Sequence, residues 1–258
     1  MATRTAPGRV LSESQLQELL AHTKQADTVE LKLTVPDANQ RSAVMALGMD
    51  PLEGQVRQVV FFDTPELALY DAGLVVRARR VQGRGDDSVV KLRPIDPSHV
   101  KGKLRKTTGF GIEVDAMPGG FVCSGSLKSA ETSGVWEVMR GERPIRKLFT
   151  KPQRALFAEH APEGVELDDL SMLGPINVFK LKFTPAGLTQ RLVAELWLYP
   201  DSTRILELST KCKPGEAFQV AAEVRAHLGS RGVDLAGVQQ TKTRTALEYF
   251  AGELAASS

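Results

Sequence analysis

Cysteine is scarce in this 258-residue chain, and that scarcity removes two classes at once. Cys123 and Cys212 stand far apart with no metal-type spacing, so neither a disulfide scaffold nor a zinc module is expected, and both are read as free thiols. No apolar run approaches the ~20 residues that a membrane-spanning helix needs. Residues 1–9 lack the apolar core of a signal peptide, which gives a cytoplasmic expectation. A charge excess is missing too. The 33 Lys and Arg nearly balance 31 Asp and Glu, and a net charge of +2 is too small to mark a nucleic-acid binder. The four histidines, His22, His99, His160 and His227, are scattered, and no catalytic histidine is expected. Gly83 and Gly85 lack the strand-to-helix setting of a phosphate loop and read as a hairpin turn. No repeat of 20 to 50 residues is present.

What the chain does have is charge written at a period of two. Side chains of a strand alternate between faces. In Thr28–Leu33 the residues Thr28, Glu30 and Lys32 therefore share one face, and Val29, Leu31 and Leu33 share the other. The pattern recurs in the pairs Arg77/Arg79, Lys91/Arg93, Glu113/Asp115 and Lys180/Lys182, and in Glu207/Ser209/Lys211.

Residues 1–11 read as a disordered lead-in, and 12–254 as one domain. Ser12 or Ser14 is placed to cap a helix over 15–24. Strands are expected at about 28–35, 55–63, 74–81, 88–93, 104–109 and 111–116, with 74–93 forming a hairpin. Residues 117–175 read as a helical insertion, with stripes at Ile145, Leu148, Phe149, Leu156 and Phe157. The acidic pair Asp168-Asp169 in it reads as a loop or cap. A meander of strands at 176–184, 190–199 and 203–211 follows, then helices over 214–228 and 241–253.

Spacing alone leaves two arrangements open. The charged faces could form cross-strand ion pairs on a wet surface. Alternatively, the apolar faces pack outward beneath helices and the charged faces line a tunnel. Buried charge must be paired, hydrated or bound to a ligand. A tunnel lined by Arg77, Arg79, Lys91, Arg93, Lys180, Lys182, Lys211 and, in the same reading, Arg105, Arg191 and Arg204 calls for a polyanion, because the guanidinium fork matches phosphate oxygens. Glu30, Glu113, Asp115, Glu195 and Glu207 are then candidate ligands for Mg²⁺ or Mn²⁺, hard cations that take oxygen donors.

Particular stretches resemble the CYTH, or triphosphate tunnel metalloenzyme, superfamily. Thr28-Val29-Glu30-Leu31-Lys32 sits where that family carries Glu-x-Glu-x-Lys. Phe61-Phe62-Asp63-Thr64-Pro65, the run Ala72-Gly73-Leu74-Val75-Val76-Arg77-Ala78-Arg79, and Val89-Val90-Lys91-Leu92-Arg93 are similar to its following motifs. The resemblance implies an α+β fold: an eight-stranded antiparallel β-barrel tunnel with a polar interior, covered by helices. It also implies metal-dependent hydrolysis of a triphosphate (inorganic, nucleoside or thiamine), with adenylate cyclase activity or simple phosphate-chain binding as alternatives. Lys32 and Glu30 would be catalytic, with Lys32 organising the attacking water or the phosphate. The expected partner is a triphosphate-containing small molecule, with no membrane and no specific nucleic acid, and with a homodimer as the alternative to a monomer. Two positions depart from the motif: Thr28 stands for its first Glu, and Ser209 follows Glu207 where a second carboxylate is expected.

Overall fold

The computed structural model describes residues 11–234 and 242–257. Residues 1–10 of the expected lead-in, and Thr241 at the expected helix start, lie outside them. The described residues form nine strands: β1 Thr28–Val35, β2 Gln55–Asp63, β3 Leu74–Val81, β4 Asp86–Leu92, β5 Phe110–Met117, β6 Gly120–Thr132, β7 Ser171–Phe183, β8 Leu192–Leu198 and β9 Arg204–Cys212. The helices are α1 Glu13–Gln25, α2 Gln40–Ala46, α3 Ala68–Asp71, α4 Gly102–Arg105, α5 Val135–Met139, α6 Lys151–His160, α7 Ala217–Ser230 and α8 Lys242–Ser257. No helix among the described residues is long and apolar enough to cross a membrane.

The strands close into a barrel in the order β1-β5-β6-β4-β3-β2-β7-β8-β9, with β9 pairing back to β1. The expectation of eight antiparallel strands is corrected here. A ring of nine cannot alternate direction all the way round, so one seam must be parallel, and it is β1 against β5. The strand expected at 111–116 is β5, Phe110–Met117, but no strand covers 104–109: its hairpin partner is Gly120–Thr132, and residues 102–105 are helical. Gly109 explains the shift. Its φ of +86° turns the chain into β5, and a Cβ there would lie 2.3 Å from the carbonyl oxygen of Lys128 on β6. Of the stretch read as a helical insertion, residues 120–132 are therefore barrel wall, and the helices begin at Val135.

The barrel is packed inside out over most of its wall. Val60, Phe62, Val76, Val90 and Leu127 project outward and are buried under Val135, Val138, Leu156 and Phe157 of α5 and α6. Leu33, Leu181, Leu206 and Leu208 pack under Ala43 and Leu47 and under Leu228 of α7. Burying each such side chain contributes ~1.5–3 kcal/mol, which is why the helices hold their places on the wall. One polar residue fixes α6. The Gln153 amide, fully buried, donates to the carbonyls of Ser88 (3.1 Å) and Leu127 (3.2 Å) and accepts from the Thr150 backbone N–H at 2.9 Å. Ser12 caps α1 as expected, accepting from the Gln15 N–H. Asp168 accepts the Arg146 N–H at 2.8 Å, the local role expected of it.

The interior is not polar throughout. Toward one end the inward positions are apolar: Val59, Phe61, Val75, Leu173, Ile176, Val178, Trp197, Tyr199 and Ile205. Ala246, Leu247 and Phe250 of α8 are buried against them. This apolar zone is filled by the last helix, so the charged zone occupies only the remainder of the barrel.

Candidate active site

The charged zone is a cavity of about 720 Å³, lined by twelve lysines and arginines against five carboxylates. That imbalance decides what the cavity can hold. Internal pairing satisfies only part of the positive charge, and the rest requires an anion.

The acidic side is built at the parallel seam. Register places Thr28 opposite Glu113 and Glu30 opposite Asp115, while β9 brings Lys211 opposite Glu30. One carboxylate oxygen from each of Glu30, Glu113 and Asp115 lies within 4.8 Å of the others. Lys32 Nζ sits 3.1 Å from Glu30 Oε2 and 2.9 Å from Asp115 Oδ1. Asp115 is fully buried and also meets Arg93 at 3.0 Å and Lys91 at 3.6 Å. Burial opposes its ionisation, but Lys32, Lys91 and Arg93 outweigh burial and hold its carboxyl well below the usual range. Burial likewise works against the Lys32 ammonium, and the charges of Asp115, Glu30 and Glu207 hold it above the ordinary lysine value. The Lys211 ammonium bridges Glu113 and, at 4.0 Å, Glu30.

The basic side is less well paired. Arg77, Val89 and Lys128 lie in one cross-strand row on β3, β4 and β6 and so point the same way. The Nε of Arg77 is buried without a hydrogen-bond partner. Burial, reinforced by neighbouring Arg79, lowers its guanidinium to about 10. Burial also pulls Lys128 down, and Lys91 down to about 8 against the pull of Asp115. Arg57 is buried and, among the described residues, donates only to the neutral Gln55 Oε1, at 2.8 and 3.2 Å. Arg79 is held by Asp87 in a two-pronged pair at 2.7 and 2.8 Å. Lys180 donates to Glu195 at 2.7 Å.

Of the residues singled out from sequence, Glu30, Lys32, Arg77, Arg79, Lys91, Arg93, Glu113, Lys180, Lys182, Glu195, Glu207 and Lys211 line the cavity, and Asp115 lies in the wall behind Lys32 and Arg93. Three do not. Arg204 alternates with Ile205 and so points outward, where its Nε donates to Asp37 at 2.8 Å. Arg191 precedes β8 and is exposed. Arg105 lies on α4 and binds the Pro97 carbonyl at 2.7 Å. Four lining cations were missed. Arg57 alternates with Val56 in β2 and was legible. Lys128 was hidden because Ser124-Gly125-Ser126 reads as a loop. Lys242 and Arg244 lie at the head of a helix, where no strand period could mark them.

Hard oxygen donors suit Mg²⁺ or Mn²⁺, and the acidic seam supplies them. Glu30 and Glu113, at 16% and 12% side-chain exposure, are open to the cavity, whereas both oxygens of Asp115 are committed to cations. Lys211, the cation on these two carboxylates, is half-exposed. The residues therefore fit a divalent ion, with Glu30 and Glu113 as its holders and Asp115 as the anchor of the lysines around it.

No family model matches the sequence, and no curated protein matches it. Solved structures do. The Hippeastrum protein HpAC1, a provisionally named adenylyl cyclase with a dominant triphosphatase activity, superposes with a TM-score of 0.62 at 13% identity, over 85% of this chain and 95% of its own. A provisionally named adenylate cyclase from Bacillus halodurans, bh2851, gives a TM-score of 0.56 at 10% identity, over 84% and 98%. At these identities the likeness is one of fold alone: this chain shares the closed barrel of these two proteins.

Proposed function

We propose that this chain binds a triphosphate-containing small molecule in its basic cavity and hydrolyses it with the help of Mg²⁺ or Mn²⁺. The observation that carries this reading is the juxtaposition of Arg57, Arg77 and Lys128, cations without an acidic partner within ion-pair distance among the described residues, with the acidic seam at Glu30 and Glu113. In this reading Arg57, Arg77 and Lys128 grip the far end of a phosphate chain, and Lys91, Arg93 and Lys182 neutralise its length. Glu30 and Glu113 hold the divalent ion, which supplies charge neutralisation and a more acidic water when bound. Lys32, kept charged by three carboxylates, orients the terminal phosphate or the attacking water beside Glu30. Such catalysis is chiefly positioning and electrostatic stabilisation, which a rigid barrel wall provides.

The likeness to HpAC1, named for cyclase activity with a dominant triphosphatase activity, supports hydrolysis ahead of cyclisation. A second reading, a phosphate-chain receptor with little turnover, is favoured by Thr28 and Ser209, whose hydroxyls donate to Glu113 and Glu30 at 3.3 Å where carboxylates would ligate. The test is phosphate and cyclic-nucleotide release from a panel of triphosphates with and without Mn²⁺, beside Glu30→Gln. Metal-dependent phosphate release lost in Glu30→Gln supports the hydrolase. Cyclic nucleotide from ATP replaces it with a cyclase, and tight binding without product replaces it with a receptor.

A further inference from the structure

Glu195 and Glu207 stand directly opposite one another on β8 and β9, both facing the cavity and both mostly buried. Like charges at opposed cross-strand positions repel, and burial sharpens the repulsion. In the tunnel reading such a pair is a ready seat for a divalent ion. The seat is taken. The Lys242 ammonium contacts both acids, Glu207 Oε1 at 2.8 Å and Glu195 Oε2, and lies 5.3 Å from the Trp197 ring centroid. Burial alone would lower this ammonium, but Glu195 and Glu207 outweigh it and hold the group above the ordinary lysine value.

The lysine is also held from behind. Its carbonyl accepts from the Tyr199 hydroxyl at 3.2 Å, and Ala246, Leu247 and Phe250 of the same helix are packed into the apolar zone of the barrel. The backbone of Lys242 is thus fixed by α8 and its side chain is mostly buried, unlike Lys211, which rests half-exposed on the other acidic group.

We propose that Lys242 is a tethered cation that occupies the Glu195–Glu207 pair in place of a metal, leaving this chain one divalent site, at Glu30 and Glu113. The proposal rests on the tunnel reading above. It removes Glu195 and Glu207 from the set of metal ligands that the sequence suggested, and it assigns them to holding the last helix in register with the cavity.

Manganese binding to the full chain without triphosphate, followed by the electron-paramagnetic-resonance signal of free Mn²⁺, tests it. The native chain is expected to bind one Mn²⁺, Glu30→Gln none, Glu207→Gln one with affinity within about twofold of native, and Lys242→Met two. Two ions on the native chain, or a fivefold or greater weakening by Glu207→Gln, overturns the proposal. So does a folded Lys242→Met variant that still binds one. If Lys242→Met does not fold, Glu207→Gln on the otherwise native chain decides. A native chain that binds none while Lys242→Met binds one upholds the tethered cation and instead sinks the metal site at Glu30 and Glu113.

Discussion

Thr28 faces Glu113 across the parallel seam of the barrel, and its hydroxyl donates to Glu113 Oε2 at 3.3 Å. A carboxylate at this position would add a hard ligand beside Glu30 and Glu113, whereas a hydroxyl only orients the ligand already there. Thr28→Glu is therefore expected to tighten Mn²⁺ binding by roughly tenfold, the equivalent of ~1.4 kcal/mol. Titration calorimetry checks it. Unchanged or weakened binding would show that the added charge meets no ion.

Lys91 gives the site a pH dependence. Burial lowers its ammonium to about 8 in the ligand-free chain, against an ordinary lysine value of 10.5. Between these values the unfolded chain holds a proton that the folded chain has lost. Lys91 therefore costs stability in full below pH 8, and the cost is relieved as pH rises toward 10.5. A bound polyanion reverses the balance by favouring the charged form. Triphosphate binding at pH 8.5 is expected to take up protons, and affinity to fall as pH rises past 8. Calorimetry in two buffers of different ionisation enthalpy measures the uptake. It should be reduced in Lys91→Met, and equal uptake in both proteins contradicts the assignment.

The Gln153 side chain is the polar bolt between α6 and the wall. Gln153→Ala strands the Ser88 and Leu127 carbonyls and the Thr150 N–H without this partner, in a region closed to water. Each stranded group costs about 1–3 kcal/mol, so a loss of at least ~3 kcal/mol is expected in urea unfolding. A loss under 1 kcal/mol would mean that water reaches those groups.

Alternation of charge in β1, β3, β4 and β7 was enough to place most of the lining, because the period of two fixes which side chains share a face. The same rule, applied to Arg204, would have put it outside with Leu206 and Leu208, yet its charge drew it into the expected tunnel. Composition misled at β6. Ser124, Gly125 and Ser126 are poor strand formers by propensity; Gly125 and Ser126 are held in β6 by pairing on both sides, to β4 and β5, and Ser124 by pairing to β5. The apolar end of the interior was unreadable for a different reason. Val59, Val178 and Trp197 look like outward core residues until α8, distant in sequence, is seen inside the barrel. Lys242 was hidden with it.

A triphosphate seated in the barrel depends most directly on Arg77. Its buried guanidinium has no acidic partner in ion-pair contact among the described residues, so removing it should cost the empty protein little stability. The measurement is the affinity of inorganic triphosphate, with Mn²⁺ present, for native protein, Arg77→Ala, Lys128→Ala and Arg204→Ala. Charge-assisted hydrogen bonds of this kind contribute about 1.5–3 kcal/mol, which is roughly 10- to 150-fold in affinity. Arg77→Ala and Lys128→Ala are expected to lose that much while staying folded, and Arg204→Ala, on the outer face, to bind as the native chain does. Equal affinity in all four proteins would contradict a triphosphate seated in the barrel.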